Sequence, residues 1–243
     1  MKPKFRDRQQ AGELLAETLL DFAHKPDVLV LGLPRGGVPV AAEVAKALQA
    51  PLDVFVVRKL GVPGCEELAM GAIASGGVRL INDEVVNSLR IPAEVIRCVA
   101  DAEQLELERR EGSYRHHLPP PEVESKTVII VDDGIATGST MRAAISALRQ
   151  RAAGRIIVAT PVIAASTYLE LQRLPDGLFA VMVPADFRGV GEWYSDFSQT
   201  SDEEVRQFLR PHDHRAAGAA AAPPNMARGN RTREDSNLKP SDP

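Results

Sequence analysis

The sequence predicts an α/β fold, a three-layer arrangement with a mostly parallel sheet between flanking helices, on three observations. Short apolar runs rich in Val, Ile and Leu recur at 27–33, 51–57, 128–131, 155–161 and 178–183. Stretches of helical spacing stand between them, at 40–48, 141–151 and 164–174. Most runs are continuously apolar, as strands covered on both faces are, and a β/α alternation of this kind builds a parallel sheet. Glycine-bearing loops follow two of the runs, at Pro34–Pro39 and Gly134–Gly138, where a backbone must come close to something.

Each element has its own signal. Residues 5–24 carry Phe5, Leu14, Leu15, Leu19, Leu20 and Phe22 at helical spacing among charged residues, which predicts an amphipathic helix. The run 27–33 ends at Pro34-Arg35-Gly36-Gly37, and a helix is expected from Val40 to Leu48. The run 51–57 ends in Arg58-Lys59, and Leu60 to Glu67, with Gly61, Pro63 and Gly64, reads as a mobile loop. Ala69–Ala74 and Val78–Ile81 flank Gly76-Gly77 as a hairpin. Residues 83–118 read as a helical insertion, helices over 83–90 and 92–112 followed by the exposed loop histidines His116 and His117. The second helix has Pro92 in its first turn and a charged, solvated face. Residues 184–200 collect Phe187, Trp193, Tyr194 and Phe197 in a hood segment. These aromatics either sandwich a planar ligand or form a small satellite core. A helix over 202–209 closes a domain spanning 1–210. From Pro211 the large apolar residues nearly vanish, so 211–243 is expected to be a disordered tail.

Bulk properties exclude several classes. The chain has 243 residues and a formal net charge of −4, which gives no electrostatic reason for binding nucleic acid. No apolar stretch approaches the ~20 residues of a membrane span, and MKPKFRDRQQ lacks the apolar segment of a secretion signal. Cys65 and Cys98 lack metal or redox spacing and fit a reducing cytoplasm.

The chemistry concentrates in Val128–Met141, VIIVDDGIATGSTM. A buried strand ends in Asp132-Asp133, and a loop of small and hydroxyl residues leads into a helix. Free amides at a helix N-terminus, aided by the helix dipole, cradle a phosphate. Two carboxylates beside them suit neighbouring hydroxyls or a hard cation. A ribose bearing a 5′-phosphate carries all the matching groups. The Gly-Lys-[Ser/Thr] ending of a P-loop and the spacing of a dinucleotide fingerprint are both missing.

This stretch resembles the signature of the type I phosphoribosyltransferases. PRGGVPVAAEVA, VRKLGVPG, ELAMGAIA and WYSDFSQ resemble a bacterial group of that family whose substrate is unassigned. The resemblance covers about residues 5–209 and implies the family's fold. It implies that Asp132 and Asp133 hold the ribose hydroxyls of phosphoribosyl pyrophosphate (PRPP), and that Gly134, Ile135, Ala136, Thr137, Gly138, Ser139 and Thr140 hold its 5′-phosphate. Arg35, Gly36 and Gly37 stand where the family binds the diphosphate, and Arg58 and Lys59 are placed to meet it. Mg²⁺ would bridge the diphosphate, with Asp132 and Asp133 as further ligands. Phe187, Trp193 and Tyr194 are base-binding candidates with Asp196 as a polar partner. Hypoxanthine-guanine enzymes carry an acid where Ala136 stands, so that specificity is not implied. Glu66, Glu67 and Asp196 are the weak candidates for a general base. The family reading implies nucleotide salvage and a homodimer. The rival reading is a PRPP-binding regulator without catalysis, and a third is an enzyme active only beside a partner domain.

Overall fold

The structure, a computed structural model, describes residues 4–115 and 119–210, the side chain of Glu67 excepted. His116, His117 and the expected tail 211–243 lie outside the described residues. The strands β1 (Val28–Gly32), β2 (Leu52–Val54), β6 (Thr127–Val131), β7 (Arg155–Val162) and β8 (Gly177–Met182) form one parallel sheet in the order β2-β1-β6-β7-β8. Every residue of β1 and β6 is buried, as their unbroken apolar runs require.

Helices cover both faces. On one, α1 (Arg8–Glu17) and α2 (Gly37–Leu48) pack Leu15, Val40, Val44 and Leu48 against Val28, Val30, Ile129 and Val131. On the other, α5 (Ser139–Gln150) and α6 (Ala165–Leu171) bring Met141, Ile145, Leu148 and Leu171 against Leu29, Leu31, Val128 and Ile130. Alternate residues of one strand thus face opposite layers.

The strand order puts one reversal in the sheet. From β1 the chain crosses through α2 to β2 on one side; from β6 it crosses through α5 and α6 toward β8 on the other. The order therefore reverses between β1 and β6, and in open parallel sheets ligands bind at the carboxyl ends of strands at such a reversal. The loops that leave β1 and β6 there are the two glycine-bearing loops.

Three expectations are corrected. The first helix is shorter than 5–24, because the Asp7 carboxylate accepts from the Gln10 amide and caps α1. Phe5 lies outside it, in a bridge to Tyr194. A 3₁₀ turn over Leu20–Phe22 follows α1. Residues 51–57 are not one strand: β2 stops at Val54 and a new strand, β3 (Val57–Val62), begins. The expected mobile loop 60–67 is largely strand, since β3 pairs antiparallel with β4 (Cys65–Ala74) across a tight turn at Pro63-Gly64. Gly64 has φ of 79°, the left-handed backbone that a turn of this kind assigns to glycine. The second hairpin is as expected: β4 pairs with β5 (Val78–Ile81) around Gly76-Gly77.

The helices α3 (Asp83–Leu89) and α4 (Ala93–Arg115) follow. α4 buries Ala100, Leu107 and Tyr114 at seven-residue spacing, and this stripe packs with Leu60, Met70 and Ile73 of the antiparallel sheet. The C-terminal α7 (Asp202–Leu209) adds Val205 to the same cluster and starts with a capping box of Ser201 and Glu204.

Gly12 shows how tightly the α1–α2 layer is built: a Cβ there would lie 2.8 Å from the Val40 carbonyl oxygen and 2.9 Å from Glu43 Cβ. Gly12→Ala is expected to cost about 1–3 kcal/mol in denaturant unfolding. An unchanged midpoint would contradict this packing.

Candidate functional site

The two loops at the reversal touch. A Cβ on Gly36 would fall 2.0 Å from Asp133 Oδ2, and one on Gly37 would fall 2.7 Å from the Val131 carbonyl and 2.9 Å from Asp132 Cα. These positions take glycine because the β1–α2 loop lies directly against the acid pair. The Gly37 amide donates to the Leu33 carbonyl at 3.0 Å, which closes the turn, so its contribution is close approach. Arg35 stands half-exposed at the loop's edge, its Nη1 3.8 Å from Asp202 Oδ1. That carboxylate oxygen also accepts from the Tyr114 hydroxyl at 2.7 Å.

Asp132 and Asp133 are partly buried at the end of β6. Asp132 Oδ1 accepts from the Asp133 amide at 2.9 Å. Burial, followed by the neighbouring negative charge of Asp133, pushes the Asp132 carboxyl well above the usual carboxylate range. Burial also raises Asp133, opposed by its hydrogen bond from Arg8 Nε at 2.8 Å. The Tyr194 hydroxyl donates to the Asp133 carbonyl at 2.6 Å.

The following loop divides its labour. Ile135 is a core residue, its amide bonded to the Val162 carbonyl at 2.9 Å. The Ala136 carbonyl accepts from the Thr167 hydroxyl. Gly138, with φ of 74°, precedes the first turn of α5. Ala136, Thr137, Ser139 and Thr140 are exposed, and the Thr137 and Ser139 hydroxyls lie 3.3 Å apart. The amides of Ser139, Thr140 and Met141 open α5 and by position lack an acceptor within the helix. A phosphate there would meet amides, hydroxyls and the positive end of the dipole together.

The antiparallel sheet walls a cleft of about 460 Å³ whose lining includes Lys59, Leu80, Asn82, Asp83, Ser139, Thr140 and Arg142. Lys59 and the start of α5 therefore face one space. Arg58 does not: neighbours on a strand point to opposite faces, and Arg58 is bound by Glu103 of α4, Nε to Oε2 at 2.6 Å. The expectation that Arg58 joins Lys59 is corrected on that ground.

The base-binding aromatics are corrected too. Trp193 and Tyr194 are buried in a satellite core with Phe5, Ala11 and Val162, where their faces are already used. Phe187 stacks on Trp193 with centroids 6.4 Å apart. Asp196 is exposed and accepts from the Ser198 amide at 2.9 Å, so it caps a local turn. Glu66 is exposed, its carboxylate 3.4 Å from the Gly64 amide in the β3–β4 turn. Val190 of the 184–200 segment lies directly over the loop after the acids: a Cβ on Gly134 would fall 2.3 Å from its Cγ1. Arg8, 125 residues before Asp133, carried no local signal in the sequence.

Among the described residues no group of three or more His, Cys, Asp or Glu could hold a metal ion. Asp133 Oδ2 is engaged by Arg8 and Asp132 Oδ1 by an amide. Such a pair fits a Mg²⁺ that keeps waters and takes its other ligands from a diphosphate, and does not fit an all-protein cage.

The model of the phosphoribosyl transferase domain family matches residues 7–192, and the chain belongs to this family of transferases. A Mycobacterium tuberculosis protein, named provisionally as a phosphoribosyl transferase, is 46% identical over 225 residues, covering 90% of this chain and 51% of its own. The chain thus spans about half the length of the curated relatives it matches first. The bifunctional protein PyrR of Corynebacterium diphtheriae is 25% identical over 208 residues, covering 85% and 82% of the two chains. Among solved structures, TT1426 of Thermus thermophilus superposes with a TM-score of 0.75 at 39% identity, over 85% of this chain and 97% of that one.

The acid pair predicts a pH signature. A carboxyl raised in the folded state binds its proton more tightly there than in the unfolded chain. Stability therefore falls as pH rises from the ordinary carboxylate value through the raised one. Asp132→Asn removes this loss and keeps an oxygen for the Asp133 amide. Its melting temperature is expected to exceed the wild type's by more at about pH 7 than at about pH 4. An advantage that shrinks as pH rises would contradict the buried-charge account.

Proposed function

We propose that the protein transfers the ribose 5-phosphate of PRPP to a nitrogen nucleophile, most simply a nucleobase, with release of pyrophosphate. The observation that carries this reading is the contact of the β1–α2 loop with the acid pair where the strand order reverses, beside the open first turn of α5. One ligand with a phosphate, two vicinal hydroxyls and a diphosphate matches the three parts in order. The phosphate sits at the Thr137–Thr140 segment. The hydroxyls donate to Asp132 and Asp133. The diphosphate lies toward Arg35, Gly36 and Lys59.

In the reaction the bond from the anomeric carbon to the diphosphate oxygen breaks, and a carbon–nitrogen bond forms to the acceptor. The acceptor's proton is lost to solvent or to a base on the acceptor side. Positive charge grows on the sugar ring and negative charge on the departing diphosphate. Lys59 and Arg35 stabilise the second, and the acid pair favours the first. Holding sugar and acceptor in line lowers the barrier further. Mg²⁺, when bound with PRPP, neutralises diphosphate charge. A nucleobase salvage role in the cytoplasm and a homodimeric assembly go with this reading.

Calorimetric titration with PRPP and Mg²⁺ tests the site, and pyrophosphate release across a panel of bases and amines tests the reaction. Saturable binding and release with at least one acceptor are expected. Lys59→Met is expected to lower turnover by about tenfold or more, since a charge-assisted contact to the leaving group is lost. Binding without release from any acceptor would replace the enzyme by a PRPP-responsive regulator. No binding at all would remove the ribose phosphate reading.

A further inference from the structure

We propose that Arg8 is a positioning residue of the ribose site, fixing the carboxylate of Asp133 before any ligand arrives. The inference rests on the proposed function, because it takes the acid pair to be the seat of the ribose hydroxyls.

Arg8 opens α1, directly after the capping Asp7, and its guanidinium is held on three sides. Nε donates to Asp133 Oδ2 at 2.8 Å, with the two side chains only 12% and 13% exposed. Nη1 donates to the Ser198 carbonyl at 2.6 Å. The guanidinium carbon lies 4.1 Å from the centre of the Phe197 ring. A planar fork caught this way has little freedom, and so has the carboxylate it grips.

The same two segments hold the backbone of Asp133. Its carbonyl accepts from Tyr194, and Tyr194 is locked to the N-terminal segment by the bridge to Phe5. The Phe5 amide donates to the Trp193 carbonyl, and the Ser195 amide donates back to the Phe5 carbonyl, each at 2.8 Å. Residues 5–8 and 193–198 thus form one clamp on a single acid, applied from outside the loop that carries it. From below, Gly36 leaves room for Oδ2 and for nothing larger.

This arrangement does two things for a ribose. It sets the carboxylate in one rotamer, so a hydroxyl meets an acceptor already aimed. It also sets a guanidinium against a partly buried carboxylate, opposing the upward push of burial on that acid. The surface of the ribose site is then made by the loop, and its precision by α1 and the hood.

The test is a set of PRPP titrations in Mg²⁺ on the full chain, with melting curves beside them, for wild type, Arg8→Gln, Arg8→Lys, Asp133→Asn and the Arg8→Gln/Asp133→Asn double variant. Arg8→Gln is expected to weaken PRPP about tenfold or more. Arg8→Lys, which keeps the charge and loses the fork, should recover part of that. In the Asp133→Asn background Arg8→Gln should change affinity little, because the carboxylate it serves is gone. Should Arg8→Gln not fold, Arg8→Lys carries the test alone, with severalfold weaker binding at a near-native melting temperature. Wild-type affinity in a folded Arg8→Gln or Arg8→Lys variant overturns the proposal. So does an equal loss in both backgrounds, which would make Arg8 a general packing residue. A wild-type chain that does not take up PRPP overturns the proposed function, and this role with it.

Discussion

The site depends on one steric constraint. The backbone at Gly36 and Gly37 must lie against the side chain of Asp133 and the backbone at Val131–Asp132, with no side chain between them. That contact brings the loop after the first strand of the sheet to the acids after its central strand. Parallel pairing of β1 with β6, Val28 opposite Thr127 through Gly32 opposite Val131, sets the two strand ends level. The α2 and α5 helices depart to opposite faces of the sheet. Any residue larger than glycine would push the loops apart and separate the proposed diphosphate seat from the ribose seat.

Around this contact other elements of the described residues work as support. α4 holds the antiparallel sheet from one face, so that Lys59 on the other face looks into the cleft. Asp202 of α7 stands beside Arg35, and Tyr114 of α4 fixes Asp202 in turn. The hood packs Val190 on Gly134 and Tyr194 on the Asp133 carbonyl. The partly buried acids disfavour their own ionised state, which is a stability cost located where the chemistry is proposed to happen.

Much of this was legible in the sequence because it is local. The apolar run 128–131 of β6, the acid pair and the loop into α5 form one short continuous stretch, and each follows from periodicity and residue type. The β/α order called for a parallel sheet, while the place where the strand order reverses came from the strand pairing. What was not legible depended on contacts across the chain. The pairing of β3 with β4 turned an expected loop into a hairpin, and it put Arg58 against Glu103 instead of beside Lys59. Trp193 and Tyr194 look like stacking residues by type, yet the N-terminal Phe5 claims them for a satellite core. Arg8 sits in an ordinary amphipathic stretch, and its partner is 125 positions away. The family match to a phosphoribosyl transferase domain agrees with the local signature and leaves the acceptor open.

The most direct measurement of the central claim is a crystal structure of the full chain with ribose 5-phosphate bound. The phosphate is expected within hydrogen-bonding distance of the Thr137–Met141 amides and the ring hydroxyls on Asp132 and Asp133, with the sugar's anomeric carbon facing the Gly36–Gly37 loop. A ligand seated elsewhere, or a pocket at the ends of β1 and β6 closed by protein side chains, would contradict it.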